Sequence, residues 1–318
     1  MHDRYDEMYE ACVRYYVQSE TMESIARHLK LSRSSVSRVL AEAKKSGMVR
    51  ISLVTPKGSQ SPVARKLANV FGIRVHISTV GDSAPITTRF ERVSRLAATL
   101  LTDSVKDGDL IGAAWGVTLS NVVPYLEPKP LHDATIVQMN GGTNALDTSA
   151  SHMTSILQAL SRNFDAAVVQ FPVPAFFDYS ETKQAMWRER SVKSVLELHD
   201  KLDVSIFGIG SIYGKVPSHV YSAGYLDQAE MMALKEQGVV GDVCTVLLRE
   251  DGTYEDLEIN QRASGLTPAE SKRIPIRIGV VADPARASAL LGALRAGSIT
   301  DLVCDDTTAR AVIELIDR

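Results

Sequence analysis

Residues 109–120 read DLIGAAWGVTLS, and this stretch decides the class of fold that the sequence predicts. Its apolar first half is typical of a buried strand, and the residues after Gly116 open a helix. A glycine at such a turn lets backbone N–H groups approach a ligand, and the Thr118 hydroxyl could donate to the same ligand. The stretch therefore predicts a strand–turn–helix unit with a candidate binding turn. A simple helix cap is the alternative interpretation.

Strand-like and helix-like segments alternate in the same way from residue 63 onward. Parallel strands need a crossover helix between them, so this alternation predicts an α/β fold with a Rossmann-like, mainly parallel sheet. An Asp-Gly turn at residues 251–252 also predicts an inserted hairpin subdomain, with strands at 243–248 and 253–259. The other strands are predicted at residues 74–79, 109–114, 134–139, 166–171, 204–209, 277–281 and 301–304. Helices are predicted at residues 63–71, 87–105, 118–126, 149–163, 181–199, 227–236, 284–296 and 307–317.

The residues that follow each strand are the candidates for a binding site, because open parallel sheets bind ligands beyond the carboxyl ends of their strands. Glycine, proline and small polar residues are frequent there, which suits a hydroxylated or phosphorylated small molecule. Asp242 could accept hydrogen bonds from sugar hydroxyls or only cap a turn, and Trp115 could cover a ligand or fill the core. The candidates are Trp115, Gly116, Val117, Thr118, Leu119, Asn140, Gly141, Gly142, Gly210, Ser211 and Asp242.

Motifs of common enzymes and metal sites are absent from the sequence. The turn at Gly116 is neither a GxGxxG motif nor a P-loop, and no GxSxG or HExxH motif occurs. His152 and His199 have no partner at metal-ligand spacing and are expected at the surface. We therefore expect no catalytic residue, no cofactor and no metal.

The composition of the 318 residues favours a globular protein of the cytoplasm. Three widely spaced cysteines, Cys12, Cys244 and Cys304, argue against a disulfide framework and fit a reducing compartment. No apolar run approaches the roughly 18 residues that a membrane span needs. The charged first residues do not resemble a signal peptide.

The first 50 residues predict a small DNA-binding module. A first helix is expected at residues 4–18, and Thr21 and Ser32 are N-cap candidates for two further helices, the last of which ends at Gly47. An apolar strand at residues 48–54 follows. This order is typical of a winged helix-turn-helix. A helical hairpin with a solvated charged face is the alternative.

The charge distribution supports a nucleic-acid partner, although the net charge of the whole chain is −3. Residues 1–50 hold nine Lys and Arg against seven Asp and Glu, and the acidic excess lies in the rest of the chain. In the predicted recognition helix, the residues suited to base edges are Arg33, Ser34, Ser35, Ser37 and Arg38. The residues suited to DNA phosphates are Lys30, Lys44 and Lys45.

A polar segment at residues 55–62, TPKGSQSP, separates this module from the α/β part. Its proline, glycine and serine residues are typical of a linker. We therefore predict a DNA-binding domain with its linker at residues 1–57 and a ligand-binding domain at residues 58–318.

The motifs, taken in order, resemble those of the SorC family of bacterial sugar-responsive transcriptional regulators. The resemblance implies operator DNA and a sugar or sugar-phosphate effector as partners, in a homo-oligomer that is commonly a tetramer. It also implies an effector domain that is similar to sugar-phosphate isomerases and deaminases but is inactive. The motifs are SGMVRISL at 46–53, IGAAWGVTLSNVV at 111–123, VQMNGG at 137–142, FPVPAF at 171–176, FGIGS at 207–211, GVVGDVC at 238–244 and IGVVADPARA at 278–287.

The resemblance assigns a phosphate-cradling turn to residues 115–119, and it adds Arg286, where the family usually has Lys. Two positions depart from the family pattern. Asn140 stands where some members have an Arg that meets a second phosphate, which makes a bisphosphate less expected. Asp283 lies in a segment that is usually glycine-rich and puts an acid near the expected phosphate. A free sugar or a polyol therefore stays open beside a phosphorylated effector.

The function that the sequence predicts is transcriptional regulation of carbohydrate metabolism, controlled by a sugar-derived and preferably phosphorylated effector. The alternative from another class is a sugar-phosphate isomerase or deaminase with a DNA-binding appendage. Such an enzyme needs a positioned general base, and Asp242 is the only carboxylate that the sequence places at the pocket. A purely structural protein is a third alternative, which the pocket-like loops disfavour.

Overall fold

The computed structural model describes residues 2–49, 61–142, 149–216, 218–222 and 224–318. The chain forms two compact units, Met1–Ser59 and Gln60–Arg318. The domain boundary predicted between residues 57 and 58 lies outside the described residues, as does most of the strand predicted at residues 48–54.

The smaller unit is a bundle of three helices with an apolar centre. The first helix, α1 (His2–Cys12), continues as a π-helical turn at Val13–Val17, and α2 (Met22–His28) and α3 (Arg33–Lys45) follow. Small residues on α2 and branched residues on α3 let these helices pack closely. The buried residues are Ala11, Cys12, Ile25, Ala26, Val36, Leu40 and Ala43.

Local capping sets the ends of the second and third helices. The Thr21 hydroxyl accepts a hydrogen bond from the Ser24 N–H at 3.2 Å, and the Ser32 hydroxyl accepts one from the Ser35 N–H at 3.1 Å. Both predicted N-caps are thereby confirmed. Gly47, just beyond α3, has a φ of +81°, the left-handed conformation expected of the predicted C′ glycine.

The larger unit is built on a sheet whose seven main strands are all parallel, in the order β1-β9-β8-β5-β2-β3-β4. Near its end β5 pairs antiparallel with β6, which in turn pairs antiparallel with β7. The predicted fold class, α/β with a mainly parallel sheet, is confirmed. The strands are β1 (Arg74–Ser78), β2 (Leu110–Ala113), β3 (Thr135–Gln138), β4 (Ala167–Val169), β5 (Val204–Ser211), β6 (Val239–Val243), β7 (Val246–Arg249), β8 (Ile276–Val281) and β9 (Asp301–Asp305).

Helices connect these strands, together with short 3₁₀ turns at Val123–Tyr125, Glu258–Gln261 and Pro284–Arg286. The helices are α4 (Pro62–Phe71), α5 (Ile86–Ser104), α6 (Val117–Val122), α7 (Ser149–Phe164), α8 (Ser180–Met186), α9 (Arg190–His199), α10 (His219–Ser222), α11 (Gln228–Glu236), α12 (Pro268–Ser271), α13 (Ala287–Arg295) and α14 (Asp306–Ile316).

Helices cover both faces of the sheet. Along β3, Ile136 belongs to a buried apolar cluster that includes residues of α5, α6 and α7, whereas Val137 belongs to a second cluster that includes residues of α4, α9, α13 and α14. Parallel strands buried on both sides in this way are apolar at successive positions. In the part of the chain that the structure describes, none of the helices combines the length and the apolar character of a membrane span.

The predicted hairpin is wrong in its position. The segment 243–248 is interrupted by a turn at Cys244 and Thr245, so the hairpin strands are β6 and β7, and residues 253–259 form no strand. The side chain of Asn260 explains the difference. Its Oδ1 accepts from the Leu247 N–H and its Nδ2 donates to the Leu247 carbonyl, both at 2.8 Å, so it takes the bonds that a further strand would make.

The single helix predicted at residues 181–199 is also wrong, because α8 ends at Met186 and α9 begins at Arg190. Glu189, just before α9, is extended, with a ψ of 135°. The ring of Trp187 packs at 5.7 Å between centroids on both Phe171 and Phe177. Packing of this half-buried indole on the two phenylalanines overrides the helical propensity of the segment.

A buried carboxylate joins the first and last strands of the unit. Asp301, on β9, accepts bidentate hydrogen bonds from Arg74 of β1 at 2.6 Å and a further bond from the Thr300 hydroxyl at 2.8 Å. Burial alone would raise the pKa of Asp301, but His76, Arg74 and Thr300 outweigh it and lower the pKa to about 2. The ionised form of Asp301 therefore stabilises the folded state.

We predict that Asp301→Asn lowers the free energy of unfolding at neutral pH by about 2 kcal/mol. The stabilisation by a carboxylate with a depressed pKa is complete above its ordinary value of 3.8 and is lost as the pH falls toward 2. Urea titrations should thus show a difference between wild type and variant that is constant above about pH 4 and shrinks below it. The matched control is Asp200→Asn, which breaks an exposed ion pair with Arg273 and should cost less than about 1 kcal/mol. A difference that does not change with pH would contradict the assignment.

Candidate ligand-binding site and nucleic-acid interface

A cavity opens in the larger unit at the point where the order of the strands reverses. Within the sheet, β3 is the neighbour of β2 on one side and β5 is its neighbour on the other side. The crevice at the carboxyl ends of two such strands is the usual ligand site of an open α/β sheet. The cavity has a volume of about 510 Å³, including its mouth to solvent.

Two glycines of β5 form the floor of the cavity. A Cβ on Gly208 would lie 2.6 Å from Oγ1 of Thr118, and a Cβ on Gly210 would lie 1.8 Å from Oδ1 of Asp242. Residues two apart in a strand point to the same face. The missing side chains therefore let the hydroxyl of Thr118 and the carboxylate of Asp242 lie directly against the backbone of β5.

Asp242 is a buried carboxylate with one oxygen in use. Its Oδ2 accepts from the Thr245 N–H at 3.2 Å, and its Oδ1 has no hydrogen-bond partner among the described residues. Burial raises the pKa of Asp242 to about 6, against the opposing influence of the Tyr221 hydroxyl, the Thr245 N–H and Arg286. A donor that enters the cavity could also bond to Oδ1, beside the Tyr221 hydroxyl that already acts on this carboxylate.

The turn between β6 and β7 is strained and lines the same cavity. Cys244 and Thr245 have φ angles of +49° and +69°, in the left-handed region that a β-branched residue rarely adopts. Gly265 packs against this turn so closely that a Cβ there would lie 1.6 Å from the Cys244 carbonyl oxygen. Strain of this kind persists only where the surroundings fix it, and it concentrates at functional sites.

Arg286 holds the loop that follows β5. It donates to the carbonyl oxygens of Ile209 and Val216 at 2.7 and 2.6 Å, and more weakly to the Ser218 hydroxyl at 3.4 Å. Burial lowers the pKa of Arg286, and the nearby Asp283 and Asp242 oppose this shift. Its guanidinium therefore closes one side of the cavity by tying the loop to β5.

Asn140 is supported from behind by a buried polar network. Gln138 donates to the Asn140 carbonyl at 2.7 Å and accepts from the Phe171 N–H at 3.0 Å, and His199 bonds to the Gln138 carbonyl at 2.8 Å. The prediction that His199 lies at the surface is wrong, since it is only 4% exposed. Burial lowers the pKa of His199, which favours the neutral ring. The side chain of His152 lies outside the described part of the chain.

The structure brings most of the predicted pocket residues together, and Arg286, which the family resemblance added, lies with them. Nine line the cavity: Trp115, Gly116, Val117, Thr118, Leu119, Asn140, Gly210, Asp242 and Arg286. Seven further lining residues were not predicted: Ala114, Gly208, Ile209, Ser218, Val220, Cys244 and Thr245. Of these, Gly208 carries a sequence signal, because it alternates with Gly210 along a strand.

Three predicted residues lie outside the lining and support it instead. Gly141 accepts from the Trp115 indole N–H at 2.8 Å and donates its own N–H to the Ser264 hydroxyl at 3.0 Å. Gly142 donates to the Val173 carbonyl at 3.1 Å. Ser211 accepts from the Tyr213 N–H at 3.1 Å, at the point where the chain leaves β5.

The predicted DNA-contacting residues form an exposed surface on the smaller unit, around the start and the last turn of α3. Arg33 pairs with Glu23 at 2.7 Å, and Arg38 contacts the Ser35 hydroxyl at 3.3 Å. Lys44 lies over the Tyr16 ring at 5.7 Å from its centroid. All of the predicted residues are exposed except the half-buried Ser35: Lys30, Arg33, Ser34, Ser37, Arg38, Lys44 and Lys45.

Comparison with known proteins gives consistent matches. Residues 59–314 match the Sugar-bind family, described as "Putative sugar-binding domain". The Deoxyribonucleoside regulator of Bacillus subtilis (strain 168) is 27% identical over 307 residues, which cover 96% of each chain.

Two solved structures are similar as well. A domain of "a possible sugar-binding transcriptional regulator" from Arthrobacter aurescens TC1 is 37% identical with a TM-score of 0.75, covering 82% of this chain and all of that domain. The full-length sorbitol operon regulator SorC of Klebsiella pneumoniae is 22% identical with a TM-score of 0.77, covering 96% and 97% of the two chains. This second similarity, at 22% identity, shows that the two proteins share a fold.

We predict that Gly265→Ala destabilises the larger unit by about 1–3 kcal/mol or more, because the added Cβ would meet backbone atoms of the Cys244–Thr245 turn. The matched control is Gly81→Ala, whose Cβ would have nothing within 4 Å and which changes only backbone strain at a φ of +75°. Thermal and urea unfolding should show the larger loss for Gly265→Ala. Equal losses in the two variants would mean that the turn moves freely.

Proposed function

The chain belongs to the SorC family of sugar-responsive transcriptional regulators, and we propose that its cavity between β2 and β5 binds the sugar-derived effector. The chain is a transcriptional regulator with a sugar-binding domain. The observation that carries the proposal is the buried polar lining of the cavity, with Thr118 and Asp242 laid against the glycine floor of β5. Polar groups placed at few positions in a concave site are typical of small-molecule recognition.

The DNA-binding role falls on α3 of the smaller unit. We propose that Arg33, Ser34, Ser35, Ser37 and Arg38 face base edges in the major groove, in the manner of a recognition helix. Lys30, Lys44 and Lys45 would contact phosphates and set the affinity and its dependence on salt. The exposure of these side chains supports the proposal.

Regulation would couple effector binding to DNA binding through a homo-oligomer. An operator with two half-sites is read by paired DNA-binding units, so the spacing of the units decides affinity. An effector that binds one subunit arrangement more tightly than another shifts the population toward it. We propose a dimer or tetramer that works in this way in the cytoplasm.

The enzyme alternative has less support. Within the described lining, Asp242 is the only carboxylate, so no second acid or base stands beside it. An isomerase or deaminase needs a base that reaches the substrate in the right protonation state. The relatives are named as regulators rather than enzymes, and this chain is likewise a regulator.

We predict that Arg38→Ala weakens binding to operator DNA by about 1–3 kcal/mol. The operator can be recovered by selecting fragments with the wild-type protein, and affinities measured at fixed salt. Arg188→Ala, an exposed arginine of the larger unit, is the control and should leave the affinity unchanged. An unchanged affinity for Arg38→Ala would place the recognition surface elsewhere.

We predict that Thr118→Leu abolishes the response to effector and spares DNA binding. A leucine would fill the space beside Gly208, because Oγ1 of Thr118 already lies 2.6 Å from the place that a Cβ on Gly208 would take. A thermal-shift screen with sugars, polyols and their phosphates identifies a ligand of the wild type, since binding to the folded state raises the melting temperature. The same ligand should give no shift with Thr118→Leu and a full shift with Thr99→Leu, an exposed control. A full shift with both variants would show that the effector binds away from Thr118.

A further inference from the structure

We infer that Glu23 is a positioning residue for DNA recognition. It holds the side chain of Arg33 so that the two Nη atoms of this arginine read a guanine, and it thereby increases sequence specificity. The inference rests on the proposed function, because it assigns roles within the DNA-binding surface of α3. It follows from the ion pair that joins the first turns of α2 and α3, and from the donors that this pair leaves free.

The two helix caps bring Glu23 and Arg33 together at the surface. Thr21 caps α2 and Ser32 caps α3, so Glu23 is the second residue of α2 and Arg33 is the first residue of α3. Oε1 of Glu23 lies 2.7 Å from Nε of Arg33, and the two side chains are 58% and 70% exposed. Because the first residues of a recognition helix reach the base edges, this pair lies within the proposed DNA surface.

The support of Arg33 differs from that of the second arginine of the surface. The guanidinium of Arg38 donates to the Ser35 hydroxyl at 3.3 Å, and this hydroxyl is hydrogen-bonded to the Ser32 hydroxyl at 2.9 Å. Neutral groups therefore support Arg38, whereas a carboxylate supports Arg33. Among the described residues, Arg33 is the only one of the eight proposed DNA-contacting residues that pairs with an acid.

The position of the carboxylate leaves the far end of the Arg33 guanidinium free. Within the part of the chain that the structure describes, neither Nη atom of Arg33 makes a hydrogen bond. Guanine presents O6 and N7 in the major groove, and two N–H groups of one arginine match this pair of acceptors. Since the guanidinium is a planar fork, a carboxylate at Nε restricts the directions in which the Nη atoms point. A side chain restrained in this way loses less freedom when it binds the base.

The same carboxylate disfavours binding that ignores the sequence. Affinity for any DNA comes mainly from phosphates, which a carboxylate repels. The charge of Arg33 is also partly balanced by Glu23, so this arginine is a weaker phosphate contact than a free one. An exposed ion pair between two neighbouring helices contributes little to stability. The effect of Glu23 on base preference can therefore be measured separately from its effect on folding.

The test measures base preference with the full-length protein and the operator recovered by fragment selection. Affinities at fixed salt are compared for the operator, for its single-base-pair variants and for an unrelated duplex. We expect Arg33→Ala to lose the preference for guanine at one position of the half-site. Glu23→Gln should lower the preference at the same position at least about threefold and raise the affinity for the unrelated duplex. In the double variant, loss of Glu23 should have no further effect on this preference, because Glu23 acts through Arg33.

Glu42→Gln is the matched control. It also removes one carboxylate from the smaller unit and breaks an exposed ion pair, between Glu42 and Arg4 at 2.8 Å. This variant should change the affinity for all sequences by a similar factor and leave every base preference unchanged. Glu23→Asp keeps the charge on a shorter side chain and should retain most of the preference. Melting temperatures without DNA report whether the variants fold, and those of Glu23→Gln and Glu42→Gln should be close to the wild type.

The outcomes separate this inference from the proposed function. Base preferences in Glu23→Gln that equal those of the wild type overturn the inference, and so does an Arg33→Ala variant that keeps its preference for guanine. A further loss of preference in the double variant would show that Glu23 acts independently of Arg33, which also overturns it. In each of these cases the DNA-binding role of α3 stands. If Arg33→Ala and Arg38→Ala both bind the operator as tightly as the wild type, the proposed DNA surface itself is wrong.

Discussion

The absence of two side chains from one face of β5 is the constraint on which the cavity depends. β5 pairs with β2 and β8 along its length and with β6 at its end, so its backbone is held on both edges. Gly208 and Gly210 let groups from α6 and β6 approach this fixed backbone. The cavity therefore lies where the parallel sheet meets its antiparallel extension, and its shape is as rigid as the strand beneath it.

Most of the parallel sheet could be predicted from the sequence, because a strand buried on both faces shows an uninterrupted apolar run and a crossover helix shows a period of 3.6. The hairpin strands and one helix were predicted wrongly. In the first case a side chain takes the place of a backbone partner, and in the second a contact with residues distant in sequence ends the helix. Asn260 takes the place of a strand beside Leu247, and the Trp187 ring interrupts a helix because it packs on distant phenylalanines. Neither contact leaves a periodic signal along the chain.

The site was predictable as far as it follows strand ends. Thr118, Asn140 and Gly210 come directly after or at the ends of strands, so topology alone groups them. Ser218 comes from the loop that Arg286 holds, and Val220 comes from the short helix α10 that follows it. His199, at the end of α9, is buried behind Asn140 through its bond to the Gln138 carbonyl. These placements depend on contacts between residues far apart in sequence, which local patterns of polarity do not encode.

The pairing of Asn260 with β7 also bears on how the protein keeps to its own fold. An outer strand with free N–H and C=O groups is a template for strands of other chains. Here the Leu247 N–H and carbonyl are both taken by one amide side chain, and the Arg249 N–H donates to the Thr253 carbonyl at 3.0 Å. Backbone groups on the outer edge of β7 are therefore already hydrogen-bonded within the chain. This protects the hairpin beside the cavity from edge-to-edge aggregation.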